Sequence, residues 1–453
     1  MARSNTVFIC SSCGAEAPRW LGQCPGCGEW NTLNEEVRPS ASPGARGGRA
    51  APSAGRAVKP VTLSEVEAPR IPRLKTGIGE LDRVLGGGLV PGSLVLLGGS
   101  PGIGKSTLTS MALGNLAGAG RRTLYISGEE SPAQIKLRAE RLPGAALQVP
   151  VVAETDLETV LATLDAERPE VCVIDSVQTL HAAELTGAAG SVGQVREVAD
   201  RITRLAKARN IAVLLVGHVT KEGALAGPRV LEHLVDCVLQ FEGERERTYR
   251  TLRALKDRFG STNEAGVFEM ADGGLVEVLD ASARFVGEAT RAPGSVVLAA
   301  MEGSRPLLVE VQALVSPSEL VPPRRIANGI DRNRLALVLA VLGRHAGVGT
   351  GSADVFVNVA GGVRVDEPGA DLAVALAVAS AQRGVVAGDG ERPVACFGEL
   401  GLSGELRSVG HPDRRHAEAV KFGLTPVIDP SAKTLRAAIR SVLPRAEARP
   451  KAA

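Results

Sequence analysis

The sequence predicts an α/β protein: a parallel-type sheet with covering helices, preceded by a small four-cysteine module and followed by a second α/β domain. Three observations predict it. Two Cys-x-x-Cys pairs stand in the opening stretch, at Cys10, Cys13, Cys24 and Cys27. From about residue 61 to 280, short aliphatic runs at 94–97, 124–126, 171–174 and 213–216 alternate with helix-compatible stretches, the pattern of a parallel sheet. From 281 to 453 the mixture repeats, with a strand-like run at 355–359 and an Ala/Val/Leu-rich run at 372–381, which marks a separate domain.

Bulk properties set the limits. With 453 residues, 44% of them hydrophobic, the chain is long enough for two or three domains and is not a disordered protein. A net charge of +2 means that any nucleic-acid affinity must come from basic residues gathered on one surface. No apolar run reaches the eighteen or so residues a membrane span needs, and residues 1–10 show no secretory pattern, so a cytoplasmic protein without membrane contact is expected. Cys172, Cys237 and Cys396 are scattered in apolar surroundings and read as small core residues, not as parts of a disulfide scaffold.

In the first module, residues 1–36, the two cysteine pairs are separated by ten residues. Four thiolates at this spacing suit tetrahedral Zn²⁺, and a closed set of four leaves no open position, so the metal is structural. In so small a module the metal contributes roughly 10 kcal/mol to folding. Two disulfides or a redox pair are the competing readings. Trp20 and Trp30 are expected to shield the knuckle, with stacking on a base or a partner as the alternative. Residues 37–60, rich in Pro, Gly, Ser, Ala and Arg, cannot bury enough apolar area to fold and are expected to form a basic linker.

The strongest chemical signal is Gly99-Ser100-Pro101-Gly102-Ile103-Gly104-Lys105-Ser106, followed by Thr107. It has the P-loop spacing, follows an apolar strand and precedes a helix-compatible run, an order that a chance glycine-rich turn does not supply. The glycines let backbone N–H groups wrap phosphates, Lys105 reaches the β and γ oxygens of ATP, and Ser106 ligates Mg²⁺. Asp175, ending the run 171–174, is the expected Mg²⁺-side carboxylate, a strand-ending cap being the alternative. In Ser127-Gly128-Glu129-Glu130-Ser131, Glu129 stands at a strand's carboxyl end and is the expected general base; the alternative is an acidic start to a helix at Pro132. His218, ending another strand, either senses the γ-phosphate or is structural.

These stretches, in this order, resemble the bacterial RadA (Sms) DNA repair protein family over nearly the whole chain. The match includes the knuckle with Arg19-Trp20-Leu21-Gly22-Gln23-Cys24, the P-loop, residues 127–131, and Gly217-His218-Val219-Thr220-Lys221-Glu222-Gly223. It continues through Gly227-Pro228-Arg229-Val230-Leu231-Glu232-His233 and Lys256-Asp257-Arg258-Phe259-Gly260. The resemblance implies a RecA-like ATPase, stimulated by DNA, that assembles into a homo-hexameric ring, binds single-stranded DNA, drives branch migration of branched recombination intermediates and works beside the RecA recombinase. It also carries over Lys256 and Arg258 as cations acting on the neighbouring subunit's nucleotide. Where the family usually has Asn, this chain has Asp257, which questions the turn and the nucleotide affinity. Gln194, Arg196, Lys221 and Arg229 are the DNA-contact candidates, on loops expected to face the ring's channel; ordinary surface charge is the competing account of each.

The final domain, from Asp354-Val355-Phe356-Val357-Asn358-Val359 through Glu367-Pro368-Gly369-Ala370-Asp371-Leu372, is similar to the proteolytic domain of Lon-type proteases. That resemblance implies a serine where Gly369 stands and a lysine near Asp413, and neither is present; Ser403 and Ser408 are not in the matching slot. An inactive Lon-like domain used for assembly or DNA contact is therefore expected. Rival functions are a filament-forming strand-exchange recombinase, an ATP-dependent protease and a KaiC-like autokinase.

Overall fold

The computed structural model describes residues 6–10, 15–30, 32–37, 62, 72–217, 230–243, 249–388 and 391–443. They fall into two compact units, one of Met1–Phe241 with Ala254–Gly260 and Asp272–Gly274, the other of Glu242–Arg253 with Ser261–Ala271 and Leu275–Ala453.

At the start of the chain, strands β1 (Thr6–Cys10), β2 (Glu16–Ala17) and β3 (Leu33–Val37) form an antiparallel sheet in the order β2-β1-β3. Its core is tiny: Cys10, Ala17, Cys24 and Leu33 are buried, with Phe8, Ala15 and Leu21 packed around them. An apolar cluster of this size does not offset the chain entropy of a folded module, which makes a metal staple a structural need.

In the first unit, helix α1 (Gly79–Val84) leads into β4 (Leu94–Gly99), then α2 (Lys105–Gly118), β5 (Thr123–Ser127), α3 (Pro132–Ala139), β6 (Val151–Ala153), α4 (Leu157–Glu167), β7 (Val171–Asp175), α5 (Val192–Arg209), β8 (Ala212–Val216), α6 (Val230–Leu234) and β9 (Cys237–Glu242). After β9 come β10 (Tyr249–Asp257), β11 (Ala265–Ala271) and β12 (Gly274–Glu277), and the large mixed sheet has the order β12-β11-β10-β9-β4-β8-β7-β5-β6. The pairings β4–β8, β4–β9, β5–β6, β5–β7 and β7–β8 are all parallel. Every residue of β4, β5, β7 and β8 is buried, because helices cover both faces; that is why these strands read as unbroken aliphatic runs. The helices start where local chemistry allows: Ser131 and Gln134 make a reciprocal capping box on α3, and Asp156 accepts the Thr159 N–H at 2.9 Å to cap α4.

One expected DNA contact is corrected here. Gln194 is 1% exposed, its Oε1 accepting from Ala182 N (2.7 Å) and its Nε2 donating to the carbonyls of Ala182, Leu185 and Gly187. It lies on the buried stripe of α5 with Val198 and Ile202, four and eight residues on, and clips the 182–187 loop from inside. Its amide is spent on backbone groups and is not offered to DNA. Arg196, two residues later, is exposed.

In the second unit, β10 and β11 pair antiparallel from Tyr249↔Glu269 to Arg253↔Ala265. Beyond them come α7 (Ala281–Gly287), β13 (Ser295–Glu302), β14 (Arg305–Pro317), β15 (Arg325–Asn328), α8 (Arg332–Val341), β16 (Ala353–Val359), α9 (Asp371–Arg383), β17 (Ala395–Cys396) and α10 (Pro412–Lys421). The sheet order is β15-β16-β14-β13-β17. Helix α9 is buried all round from Asp371 to Ser380, and alanines alternating with Leu372, Val374, Leu376 and Val378 let neighbours approach it on every side.

Gln194→Ala strips partners from buried backbone groups and is expected to destabilise the protein by about 2–3 kcal/mol, read from urea unfolding midpoints. An unshifted midpoint would refute the clip.

Candidate functional site

The loop between β4 and α2 is shaped by its glycines. Gly102 (φ +75°) and Gly104 (φ +116°) take left-handed conformations that turn backbone N–H groups inward, and at Gly99 a Cβ would lie 2.8 Å from the Phe241 carbonyl. Ile103, 1% exposed, roots the loop in the core while Pro101 and Gly102 stay exposed. Lys105 is 4% exposed, and its Nζ arches back to donate to the Gly99 (2.7 Å) and Ser100 (3.1 Å) carbonyls. Burial lowers the pKa of Lys105, while the carboxylates of Asp175 and Glu129 act to raise it. Ser106 and Thr107 are half-buried at the start of α2. An amide-lined loop at a helix N-terminus, with a buried ammonium beneath it, fits a triphosphate.

The carboxylates come from the neighbouring strands. β5 and β7 pair in parallel with Ser127 opposite Asp175, so both strands deliver their carboxyl ends to the same edge of the sheet. Asp175 is 7% exposed, and its Oδ2 accepts from the Tyr125 hydroxyl at 2.6 Å. Arg138 Nη2 in turn donates to the Tyr125 oxygen (3.1 Å), and Arg138 also pairs with Glu130. The two adjacent glutamates are therefore not equivalent: Glu130 holds Arg138, whereas Glu129 Oε1 accepts from Ser176 Oγ at 2.6 Å, beside Asp175. Gly128 makes that approach possible. Its N–H donates to the Asp175 carbonyl (2.8 Å), and a Cβ there would fall 1.9 Å from Thr179 Oγ1.

Sequence reasoning missed Tyr125, Arg138 and Ser176. Tyr125 carried a usable signal, being one of two tyrosines in the chain and set in an aliphatic strand, where its hydroxyl requires a partner. Arg138 had none, since its role depends on residues eight and thirteen positions away meeting in space.

Lys256 and Arg258 lie elsewhere. Lys256 Nζ donates to the carbonyls of Glu232 (2.6 Å) and Val235 (2.8 Å), and its pKa is lowered by burial and by Arg258. Arg258 Nη1 donates to Asp236 Oδ1 (3.0 Å), while Asp236 Oδ2 accepts from Leu94 N (3.1 Å). Leu94 opens β4 and Gly99 closes it, so at about 3.3 Å per residue the two ends stand roughly 17 Å apart. These cations sit at the strand end remote from their own P-loop. Asp257 Oδ1 accepts from Phe259 N (2.8 Å), a turn that an asparagine carbonyl would make equally, so the turn survives the departure from the family pattern. His218, Lys221 and Arg229 lie outside the described residues.

In the zinc module, the sulfurs of Cys10, Cys24 and Cys27 lie within 4.8 Å of one another, and Cys10 Sγ is 3.7 Å from Cys27 Sγ. Tetrahedral bonds of 2.3 Å require an S···S edge of about 3.8 Å, so the donor set fits Zn²⁺, and this spacing is far too long for a disulfide. Cys13 lies outside the described residues. Trp20 and Trp30 are 54% and 69% exposed, which corrects the expectation that they shield the knuckle.

In the second unit, Gly369 faces an ion pair. Arg415, 1% exposed, donates Nη1 and Nη2 to the Glu367 carboxylate (2.8 and 2.5 Å) and Nη1 to the Ala299 carbonyl (2.7 Å). A Cβ on Gly369 would lie 3.0 Å from Arg415 Nη1 and 3.2 Å from Glu367 Oε2. Asp413, Ser403 and Ser408 are exposed.

Comparison with known proteins agrees with this geometry. Residues 60–224 match the family model described as "AAA domain" and residues 8–35 the one described as "Rubredoxin metal binding domain". The chain is 48% identical over 434 residues to the DNA repair protein RadA of Bacillus subtilis, covering 95% of this chain and 94% of that protein. It is 52% identical over 436 residues to the DNA repair protein RadA of Pseudomonas aeruginosa, covering 95% and 94%. The chain belongs to the RadA family. As in the resemblance drawn from motifs alone, the match to other RadA proteins runs through both units, so the RecA-like core and the zinc ribbon are parts of one family architecture. Among the described residues no helix is long and apolar enough to cross a membrane.

Two outcomes are expected of this RadA-family chain. Tyr125→Phe frees Asp175 Oδ2 from its donor and should lower ATP turnover about tenfold while raising the Mg²⁺ concentration needed for half-maximal turnover; an unchanged Mg²⁺ titration would remove Tyr125 from the site. Elemental analysis should find about one zinc per chain, absent in Cys24→Ser.

Proposed function

We propose that this chain is an ATP hydrolase of DNA repair, stimulated by single-stranded DNA, that drives branch migration of recombination intermediates as a homo-hexameric ring beside the RecA recombinase. The observation that carries the catalytic part is the convergence of Lys105, Asp175 and Glu129 on one sheet edge, where both carboxylates act on the buried ammonium.

In this reading the N–H groups of residues 99–107 and Lys105 hold the phosphates of ATP, and Ser106 with Asp175 holds Mg²⁺. The metal supplies positive charge against the β and γ oxygens. Glu129, oriented by the Ser176 hydroxyl, accepts the proton of the attacking water as the bond to ADP breaks and phosphate leaves. Fixing Asp175 through Tyr125 removes one rotational freedom from the metal-side carboxylate. Lys256 and Arg258 are assigned to the neighbouring subunit's nucleotide; their position at the far end of β4 supports this, since neither reaches its own loop. His218 is assigned to sensing the γ-phosphate, and Arg196, Lys221 and Arg229 to phosphate contacts of DNA, which carry no sequence preference and weaken with salt.

The second unit we infer to be a Lon-like domain without peptidase chemistry, used for assembly or DNA contact. What supports the loss is that Gly369 carries no nucleophile and lies against the Glu367–Arg415 pair, so that a side chain there would crowd that pair.

Phosphate release, measured with and without oligo(dT) across a KCl series, should rise with the oligonucleotide and lose that rise at high salt. Lys105→Ala should cut turnover at least about a hundredfold; normal hydrolysis by that variant would end the site assignment. Mixing Lys105→Ala with Lys256→Ala subunits should restore part of the turnover that each lacks alone, and no restoration would argue against cations lent between subunits.

A further inference from the structure

Lys256 and Arg258 are carried near the tip of a hairpin. β10 and β11 pair antiparallel as far as Arg253↔Ala265, and residues 254–264 join them beyond that point. Within this tip the chain changes unit twice. Ala254–Gly260, with both cations, belongs to the first unit, whereas Arg253 before it and Ser261–Ala271 after it belong to the second. The cationic stretch is thus suspended between two stems of the second unit.

Both stems are gripped by one turn, between β13 and β14. On the incoming side Glu302, 8% exposed at the end of β13, takes the Arg253 guanidinium with both oxygens, Nε lying 2.9 Å from Oε1 and Nη2 donating to Oε2 at 3.0 Å. Glu242 stands 3.5 Å from the same Nε. On the outgoing side Ser304 N donates to the Asn263 carbonyl (2.6 Å), and Ser304 Oγ donates to Glu264. Gly303 lies so close that a Cβ on it would fall 1.6 Å from the Asn263 oxygen, so the turn admits no side chain there. Arg414 Nη1, from α10, donates to the Ser304 carbonyl (2.8 Å) and fixes the turn itself. All of these partners lie in the second unit.

Residues 261–263 are exposed, and an exposed hairpin tip without such anchors frays. A cation offered to another subunit's phosphate is only as well placed as the backbone that carries it, and a displacement of about 1 Å can cost two orders of magnitude in rate. Three consecutive residues hold both ends of the stretch that carries the two cations. We propose that Glu302 and Ser304 are positioning residues for ATP hydrolysis, holding the two stems so that Lys256 and Arg258 meet the neighbouring subunit's nucleotide. This gives the second unit a part in ATP turnover that needs no peptidase chemistry. It rests on the reading that those cations act between subunits.

The test uses full-length chains, with a mixture of Lys105→Ala and Lys256→Ala subunits as control. Glu302→Ala should lower kcat about tenfold and Ser304→Ala about threefold, with the KM for ATP unchanged because each variant keeps its own phosphate loop. Mixing either variant with Lys105→Ala subunits should give more turnover than the mean of the two separate rates, since its loop then receives well-placed cations. Mixing with Lys256→Ala subunits should give no such gain, because both lack the same function toward a neighbour. If light scattering shows that one variant no longer assembles, the other carries the test. A control mixture without restoration would end the lent-cation reading and this proposal with it. With the control restored, the proposal alone is overturned by normal kcat in both variants, by a raised KM, or by a loss that Lys105→Ala subunits do not relieve.

Discussion

A buried ammonium facing two carboxylates is the constraint on which the first unit depends. An uncompensated lysine at the depth of Lys105 would cost several kcal/mol, so the loop carbonyls of Gly99 and Ser100 and the charges of Asp175 and Glu129 are required neighbours. They reach it because β4, β5 and β7 run parallel and end at one edge. A pair in the opposite sense would have sent one carboxylate to the other side of the sheet. Lys256 and Arg258 stand at the far edge because β10 runs the other way and ends beside the start of β4, where they brace α6 and Asp236.

Around that ammonium the structure separates groups that are chemically alike. Glu129 and Glu130 are neighbours in sequence, yet one is turned toward Ser176 and the other is bound by Arg138. The choice is made by Gly128, whose close approach to Thr179 leaves no room for any side chain. Tyr125 then joins the two halves of the network, its hydroxyl donating to Asp175 while accepting from Arg138, and its own deprotonation is suppressed by burial and by the Asp175 charge. A hydroxyl held as donor in this way keeps one oxygen of Asp175 fixed.

The second unit reuses buried charge for a different end. Arg415 and Glu367 are paired, capped by the Ala299 and Gly410 carbonyls and the Met301 N–H, and stacked against Phe397. Such a pair tolerates burial only because its remaining donors and acceptors are satisfied. This cluster lies directly against Gly369, the position at which the resemblance to Lon-type proteases implies a serine.

The sequence by itself determined what local chemistry fixes: the aliphatic strands, whose two buried faces demand unbroken apolar runs, the phosphate loop, written within nine residues, and the paired cysteines. It also held a signal for Gln194, which keeps the helical phase of Val198 and Ile202 and so belonged to the core rather than to a DNA contact. Only the tertiary structure decided which of two glutamates faces Asp175, that Tyr125 binds an aspartate fifty residues away, that Arg415 lies against Gly369, and that Trp20 and Trp30 point outward. The physical reason is that backbone conformation depends on a few adjacent residues, whereas a side chain's partner is set by strand register and packing between segments that no short window of sequence contains.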